Sequence, residues 1–250
     1  MMGNTSERTT FLIGTSGWVY DHWRECFYPV GIPKSRWFEY YCGCFQCVEI
    51  NATFYRSFRE QTYVNWKTRA PQGFRYVLKV PKRITHRKYL VGVEEDVKDF
   101  CRYGALLGDK LGMFLLQLAP STPYDLERLR KVLLAFPEPE KVAVEFRKSC
   151  WLNDETESLL RQVGAVFCNV DSPRQKLTAR LTSHRAYLRL HGRSRWYLHN
   201  YSHDELKEIA AVAQDLARRG ADLVYIFFNN DFEGYAPANA MMLMRLLNRV

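Results

Sequence analysis

Residues 141–147 read Lys-Val-Ala-Val-Glu-Phe-Arg. The run is apolar enough for a strand covered on both faces, yet it carries two charges at alternate positions near its end. Side chains on a strand point alternately to opposite faces, so if Val144 and Phe146 pack under helices, Glu145 and Arg147 point the other way. The same phase recurs in Val48-Glu49-Ile50-Asn51, in Leu78-Lys79-Val80 and in Leu188-Arg189-Leu190-His191. Four segments far apart in the chain thus turn charged or amide groups toward one shared side.

Working outward, apolar runs predict strands at about 11–15, 46–51, 75–80, 113–119, 141–147, 165–170, 186–191 and 222–229. Helical patterns fill most gaps: Lys34 to Tyr41, Gln61 to Arg69, Asp96 to Leu107, Asp125 to Ala135, Asp154 to Val163, His203 to Arg219 and Ala236 to Leu247. Ser202 with Glu205 forms a capping-box signal before the His203 helix, and Gly220 follows its end. Regular strand–helix alternation implies parallel strands joined by right-handed crossovers, and eight strands allow the sheet to close and lose its edges. The expected fold is α/β, a closed parallel (β/α)8 TIM barrel forming a single domain over 11–250 behind a frayed tail, 1–10. The length, 250 residues, matches the ~250 typical of that fold. The 172–185 connection, with Pro173 near its start, is too short for two loops and a helix, so a loop or a single turn is expected there.

The inward charges sit at the C-terminal ends of their strands, where barrel enzymes place catalytic groups. Strand ends add Gln117, Asp171 and Asn229 or Asn230. Lys79, Arg147 and Arg189 balance Glu49, Glu145 and Asp171, so the ring is either an interlocked ion network or a ligand site. The loops beyond it are aromatic: Trp18, Tyr20, Trp23, Phe27 and Tyr28, then Phe54 and Tyr55, then Trp196, Tyr197 and Tyr201. Such rings suit sugars or bases, or form a lid. Arg193, Arg195 and His199 interleave with the last group, a pattern that also grips single-stranded nucleic acid. His86 lies in the basic loop Lys82 to Lys88, as a site residue or an exposed one; Trp151 is expected to anchor a loop.

Bulk properties narrow the function classes. The composition, 47% hydrophobic and 25% charged, is that of a soluble globular chain. No apolar run approaches the ~20 residues of a membrane span, and the first ten residues lack a secretory signal, so a cytoplasmic protein with no membrane partner is expected. Seven cysteines in apolar segments fit buried thiols in a reducing compartment. Cys42, Cys44 and Cys47 have no second Cys/His cluster to complete a tetrahedral metal site. The formal charge of +9 favours an anionic partner, or reflects a solvated basic surface.

Several motifs together resemble the YecE-like family, domain of unknown function seventy-two. They are Gly-Thr-Ser-Gly-Trp at 14–18, Phe-Tyr-Pro at 27–29, Val-Glu-Ile-Asn-Ala-Thr-Phe-Tyr at 48–55, Thr-His at 85–86 and Lys-Leu-Gly at 110–112. Val-Glu-Phe-Arg at 144–147, Arg-Leu-His-Gly at 189–192, Phe-Asn-Asn-Asp at 228–231 and Ala-Pro-x-Asn-Ala at 236–240 complete the set. The resemblance implies a TIM barrel, broadly similar to the xylose-isomerase and endonuclease IV type. Ala52 departs from the serine common in the family. Those related barrels bind divalent metals, whereas Lys79, Arg147 and Arg189 here would repel a metal, so no metal or cofactor is expected.

Four readings follow. In the first, a metal-independent enzyme acts on an anionic, phosphorylated or nucleotide-like molecule: Arg147 and Arg189 hold the anion, Glu49 or Glu145 is the base, His191 the acid, and Lys79 stabilises charge or forms a Schiff base. Asp171 is counted with these catalytic groups, and Trp18, Asn51, Tyr55, His86, Gln117, Tyr197, Asn229 and Asn230 with the ligand-binding ones. The others are a nucleic-acid binder or processing enzyme using the aromatic basic rim, a divalent-metal hydrolase or isomerase, and a non-catalytic scaffold.

Overall fold

The computed structural model describes residues 9–247. Eight parallel strands close in sequence order: β1 (Thr10–Thr15), β2 (Cys47–Ile50), β3 (Arg75–Lys79), β4 (Leu111–Gln117), β5 (Val142–Glu145), β6 (Val166–Asp171), β7 (Arg185–Leu190) and β8 (Leu223–Phe228). β8 pairs with β1 over six residues, from Thr10 opposite Leu223 to Thr15 opposite Phe228, so the closing seam is as complete as the β7–β8 seam. Thr10 therefore belongs to the first strand, and of the expected tail residues 1–8 lie outside the described residues.

The helices are α1 (Trp37–Cys44), α2 (Ala52–Tyr55), α3 (Glu60–Arg69), α4 (Glu94–Ala105), α5 (Leu126–Leu134), α6 (Asp154–Val163), α7 (His203–Arg218) and α8 (Tyr235–Leu247). Local chemistry sets their ends. Asp125 accepts the Arg128 amide at the start of α5, and Asn153 accepts the Thr156 amide at the start of α6. The predicted capping box opens α7, with Ser202 and Glu205 each accepting the other's backbone N–H. Two short elements had no periodicity to reveal them: α2 itself, and a π-turn at Arg83–Arg87.

No helix separates β6 from β7, as the short connection implied. Its place on the barrel wall is taken by side-chain bonds. Asn169 accepts from Thr178 Oγ1 and the Arg180 amide at 2.7 and 2.9 Å, and its own amide donates to the Arg180 carbonyl. Thr182 accepts the Phe167 amide and donates to the Ala165 carbonyl.

Two apolar regions hold the fold. Inside the barrel lie Leu12, Cys47, Val77, Met113, Leu115, Ala143, Val166, Cys168, Val170, Tyr187, Tyr225 and Phe227. The alternate residues, including Val48, Ile50, Leu78, Val144, Phe146, Leu188 and Leu190, pack outward beneath the helices. Gly14 is required where β1 meets β2, because a Cβ there would fall 2.3 Å from the Cys47 carbonyl oxygen. The inner apolar layer fills the lower barrel and leaves the polar residues at its upper end.

Candidate functional site

Arg189 stands at the centre of the polar layer and is fully buried. Its Nε and Nη2 donate to Glu49 Oε2 and Oε1 at 2.9 and 2.6 Å, and its Nη1 donates to Glu145 Oε2. Each carboxylate is further satisfied. Glu49 also accepts from Tyr187 Oη at 2.6 Å and Ser16 Oγ at 2.7 Å. Glu145 accepts from Gln117 Nε2 at 3.0 Å and lies 2.5 Å from Arg147 Nε. Burial alone would raise both acids, but the guanidiniums outweigh it: Arg189 holds Glu49 below the ordinary glutamate range, and Arg147 with Arg189 holds Glu145 well below it. Both acids are thus fixed anions with both oxygens engaged, Glu49 by two donors on each.

His191, equally buried, closes this network. Its Nε2 lies 3.3 Å from Arg147 Nη2, 3.4 Å from Arg189 Nη1 and 3.5 Å from Glu145 Oε1, while Nδ1 meets the Asn229 side-chain amide at 2.9 Å. Burial first, then the Arg189 charge, lower its pKa to about 4, so the imidazole is neutral near pH 7. Gly192, at φ +101°, turns the chain after β7 where a Cβ would strike His199, and so brings Trp196 back over the site. Arg147 lies 5.0 Å from the Trp196 ring centroid.

Lys79 differs from every other charge in the layer. The residue is 7% exposed, and no carboxylate among the described residues comes within ion-pair distance of Nζ. Nζ lies 4.4 Å from the centroid of the Phe54 ring. Helix α2 positions that ring, because the single Thr53 hydroxyl proton is shared between the carbonyls of Ile50 and Lys79, 2.9 and 2.7 Å from Oγ1, and so ties α2 across the ends of β2 and β3. The π-turn in turn lays His86 edge-on against Phe54 at 4.9 Å, with Thr85 Oγ1 2.8 Å from its Nδ1. Burial, then Arg189, lower the Lys79 ammonium from 10.5 to about 7 despite Glu145 and Glu49; burial, then Lys79, lower His86 to about 4.

Residues 12–250 match the family described as "Protein of unknown function DUF72". The chain belongs to the DUF72 family. It is 23% identical over 271 aligned positions to UPF0759 protein YunF of Bacillus subtilis, covering 94% of each chain. It is 29% identical over 137 positions to UPF0759 protein YecE of Escherichia coli, covering 54% of this chain and 47% of that one. Among solved structures, a DUF72 family protein of Thermotoga maritima superposes with a TM-score of 0.87 at 30% identity, over 95% of this chain and 99% of that one. A second, from Enterococcus faecalis, superposes at 0.82 with 20% identity over 96% of each.

Within this DUF72 barrel, Glu49, Lys79, Gln117, Glu145, Arg147, Arg189, His191 and Asn229 converge as expected. Asp171 does not. β6 turns Val166, Cys168 and Val170 inward, which sends Asp171 outward, where Arg193 Nε bonds it at 3.0 Å. Asn230 also belongs outside, donating to the His199 carbonyl and to Asn239 of α8. Removing Asp171 changes the charge count: Glu49 and Glu145 cancel Arg147 and Arg189, and Lys79 is left over.

Trp18 packs against Phe38 and Trp66 and, with Asn51, lines a separate apolar cavity of about 390 Å³ beside the layer. Tyr55 and Tyr197 are exposed at the rim, Tyr197 with its ring 5.9 Å from His191. Sequence reasoning missed Ser16, Tyr187 and the role of Phe54. Tyr187 was accessible, since it shares the phase of Arg189 two residues later.

Proposed function

We propose that this DUF72 protein is a metal-independent enzyme that takes a small anionic molecule, phosphorylated or nucleotide-like, at the C-terminal mouth of the barrel. The observation that carries this reading is the uncompensated Lys79 above an otherwise neutral cluster of two carboxylates and two guanidiniums. A protonated Lys79 gives the mouth a positive charge in a largely desolvated setting, where an anion is attracted strongly. Arg147, whose side chain is 17% exposed, adds a guanidinium at the same opening.

The roles differ from those expected of the residue types. Glu49 and Glu145 are occupied on both oxygens, so they serve as counter-ions that hold Arg189 and Arg147. Lys79 is the group free to stabilise developing charge or accept a proton, since its pKa is about 7. The nucleic-acid reading is less well supported: Arg193 is engaged by Asp171 and Glu208, His199 by Glu205, and Tyr201 is buried. Among the described residues no helix is long and apolar enough to cross a membrane, and all seven cysteines are free thiols, which supports a place in the reducing cytosol.

Thermal-shift and calorimetric titrations with inorganic phosphate, sugar phosphates and nucleoside monophosphates at low ionic strength test the reading. A binding anion at a hundredfold excess over its Kd raises Tm by roughly 5–10 °C, and Lys79→Ala and Arg147→Ala lose the response while keeping the wild-type circular dichroism. Failure of every anion to give a saturable response overturns it.

A further inference from the structure

We infer that Lys79 forms a covalent imine with the carbonyl carbon of a small anionic aldehyde or ketone held at the barrel mouth. The inference rests on the anionic-ligand reading and names the substrate class more closely. Three observations carry it. Lys79 points into the polar layer from the end of β3, yet its Nζ has no carboxylate partner among the described residues, because Arg189 and Arg147 have taken both inner acids. Its neighbour is an aromatic face, Phe54, held there by the Thr53 hydroxyl that bridges the Ile50 and Lys79 carbonyls. The Arg147 guanidinium stands at the same mouth, where the carboxylate or phosphate of such a compound would orient its carbonyl.

A lysine serving only as an anion clamp gains nothing from this arrangement. Burial against an aromatic ring near fixed guanidiniums disfavours the ammonium form, and the amine with a free lone pair is the nucleophile. The pKa of about 7 leaves about half of the amine unprotonated at pH 7, whereas a surface lysine near 10.4 is unprotonated only about once in a few thousand. Nζ attacks the carbonyl carbon to give a carbinolamine, which loses water to give the imine. The oxygen of that water comes from the carbonyl and its two hydrogens from the amine, with solvent relaying protons at the mouth. No oxidant or reductant takes part in this condensation.

The test uses the full chain with pyruvate and sodium cyanoborohydride at pH 7, which reduces any imine to a stable carboxyethyl-lysine, followed by peptide mapping. Lys79 is expected to be labelled at least ~100-fold faster than surface lysines. Labelling is expected to slow when inorganic phosphate competes, and to be absent from a folded Lys79→Arg variant. Acetone, a neutral ketone of similar size, separates the two readings. Lys79 labelled much faster by pyruvate supports both, and Lys79 labelled equally by acetone keeps the reactive amine but removes the anion preference. Lys79 labelled no faster than surface lysines by either ketone overturns the imine, and leaves the anion reading to stand or fall on the phosphate titration.

Discussion

Arg189 and Glu49 face each other fork to fork in the closed interior of the barrel, with Nε and Nη2 bonded to the two carboxylate oxygens at 2.9 and 2.6 Å and neither side chain exposed. Strand β7 supplies the one and β2 the other, so the pair spans the barrel rather than joining neighbours in the sheet. Such a pair brings little net stability when intact, because both ions have lost their water. Its value is positional: it fixes the cluster on which Lys79 and Arg147 stand.

Breaking that pair on one side is therefore costly. Arg189→Met leaves Glu49 and Glu145 as neighbouring buried anions and is expected to lower stability by about 3–5 kcal/mol. Tyr187→Phe removes one of the four hydrogen bonds to Glu49 and should cost about 1–2 kcal/mol. Urea unfolding curves measure both. A loss in Arg189→Met no larger than that in Tyr187→Phe would contradict the central role of the guanidinium.

Lys79 should act in the opposite sense. Its pKa is lowered from 10.5 to about 7 in the folded chain, so the unfolded chain binds the extra proton between those values and wild-type stability rises with pH across that window. Below pH 7 the full penalty of the buried ammonium is present. Lys79→Met removes it and is expected to stabilise the protein by about 5 kcal/mol at pH 6, the gain shrinking toward zero near pH 10. Paired unfolding curves at pH 6, 8 and 10 decide this; a gain independent of pH would mean that the amine is not desolvated.

The barrel and most of its polar layer were legible because β2, β3, β5 and β7 alternate charged and apolar residues, which declares their phase. β6 and β8 do not alternate. Val166-Phe167-Cys168 is apolar on both faces, so nothing in the sequence told Asp171 whether to point in or out, and Leu223 to Phe228 left the same question open for Asn229 and Asn230. The pairing of charges was hidden for another reason. It depends on which strands face each other across the barrel, and that depends on closure and stagger rather than on local pattern. Helix α2 and the π-turn that carry Phe54 and His86 are too short to leave a periodic signal, and π-turns of this kind often sit at functional sites.

His191 makes the fold sensitive to acid. Burial and Arg189 lower its pKa from 6.5 to about 4, so between those values the unfolded chain takes up a proton that the native chain refuses, and stability falls as pH drops. The loss from this residue between pH 7 and pH 5 is about 2 kcal/mol. Below the ordinary glutamate range, protonation of Glu49 and Glu145, whose folded pKa values are depressed, adds to it. His86 is lowered to about 4 as well, so His191→Asn should remove about half of the loss between pH 7 and pH 5 while leaving the steeper loss below it. A variant as acid-sensitive as wild type in the upper range would show that another group takes up the proton.

The connection that lacks a helix offers a test away from the mouth. Asn169 is fully buried and satisfies three groups of the 178–180 segment, which would otherwise present unpaired polar atoms to the apolar wall of the barrel. Asn169→Leu fits the size of the site but supplies none of these bonds, so it leaves the Arg180 amide and carbonyl to find other partners, at a cost of about 1–3 kcal/mol for each group left unsatisfied. Because those bonds tie the segment down, opening is expected to be local before it is global. Limited trypsin digestion should then cut Asn169→Leu at Arg174, Lys176 or Arg180 under conditions where the wild-type segment resists, and hydrogen exchange should quicken over 173–182 while β7 stays protected. Equal protection of that segment in both proteins would show that backbone packing, and not the Asn169 side chain, stands in for the missing helix.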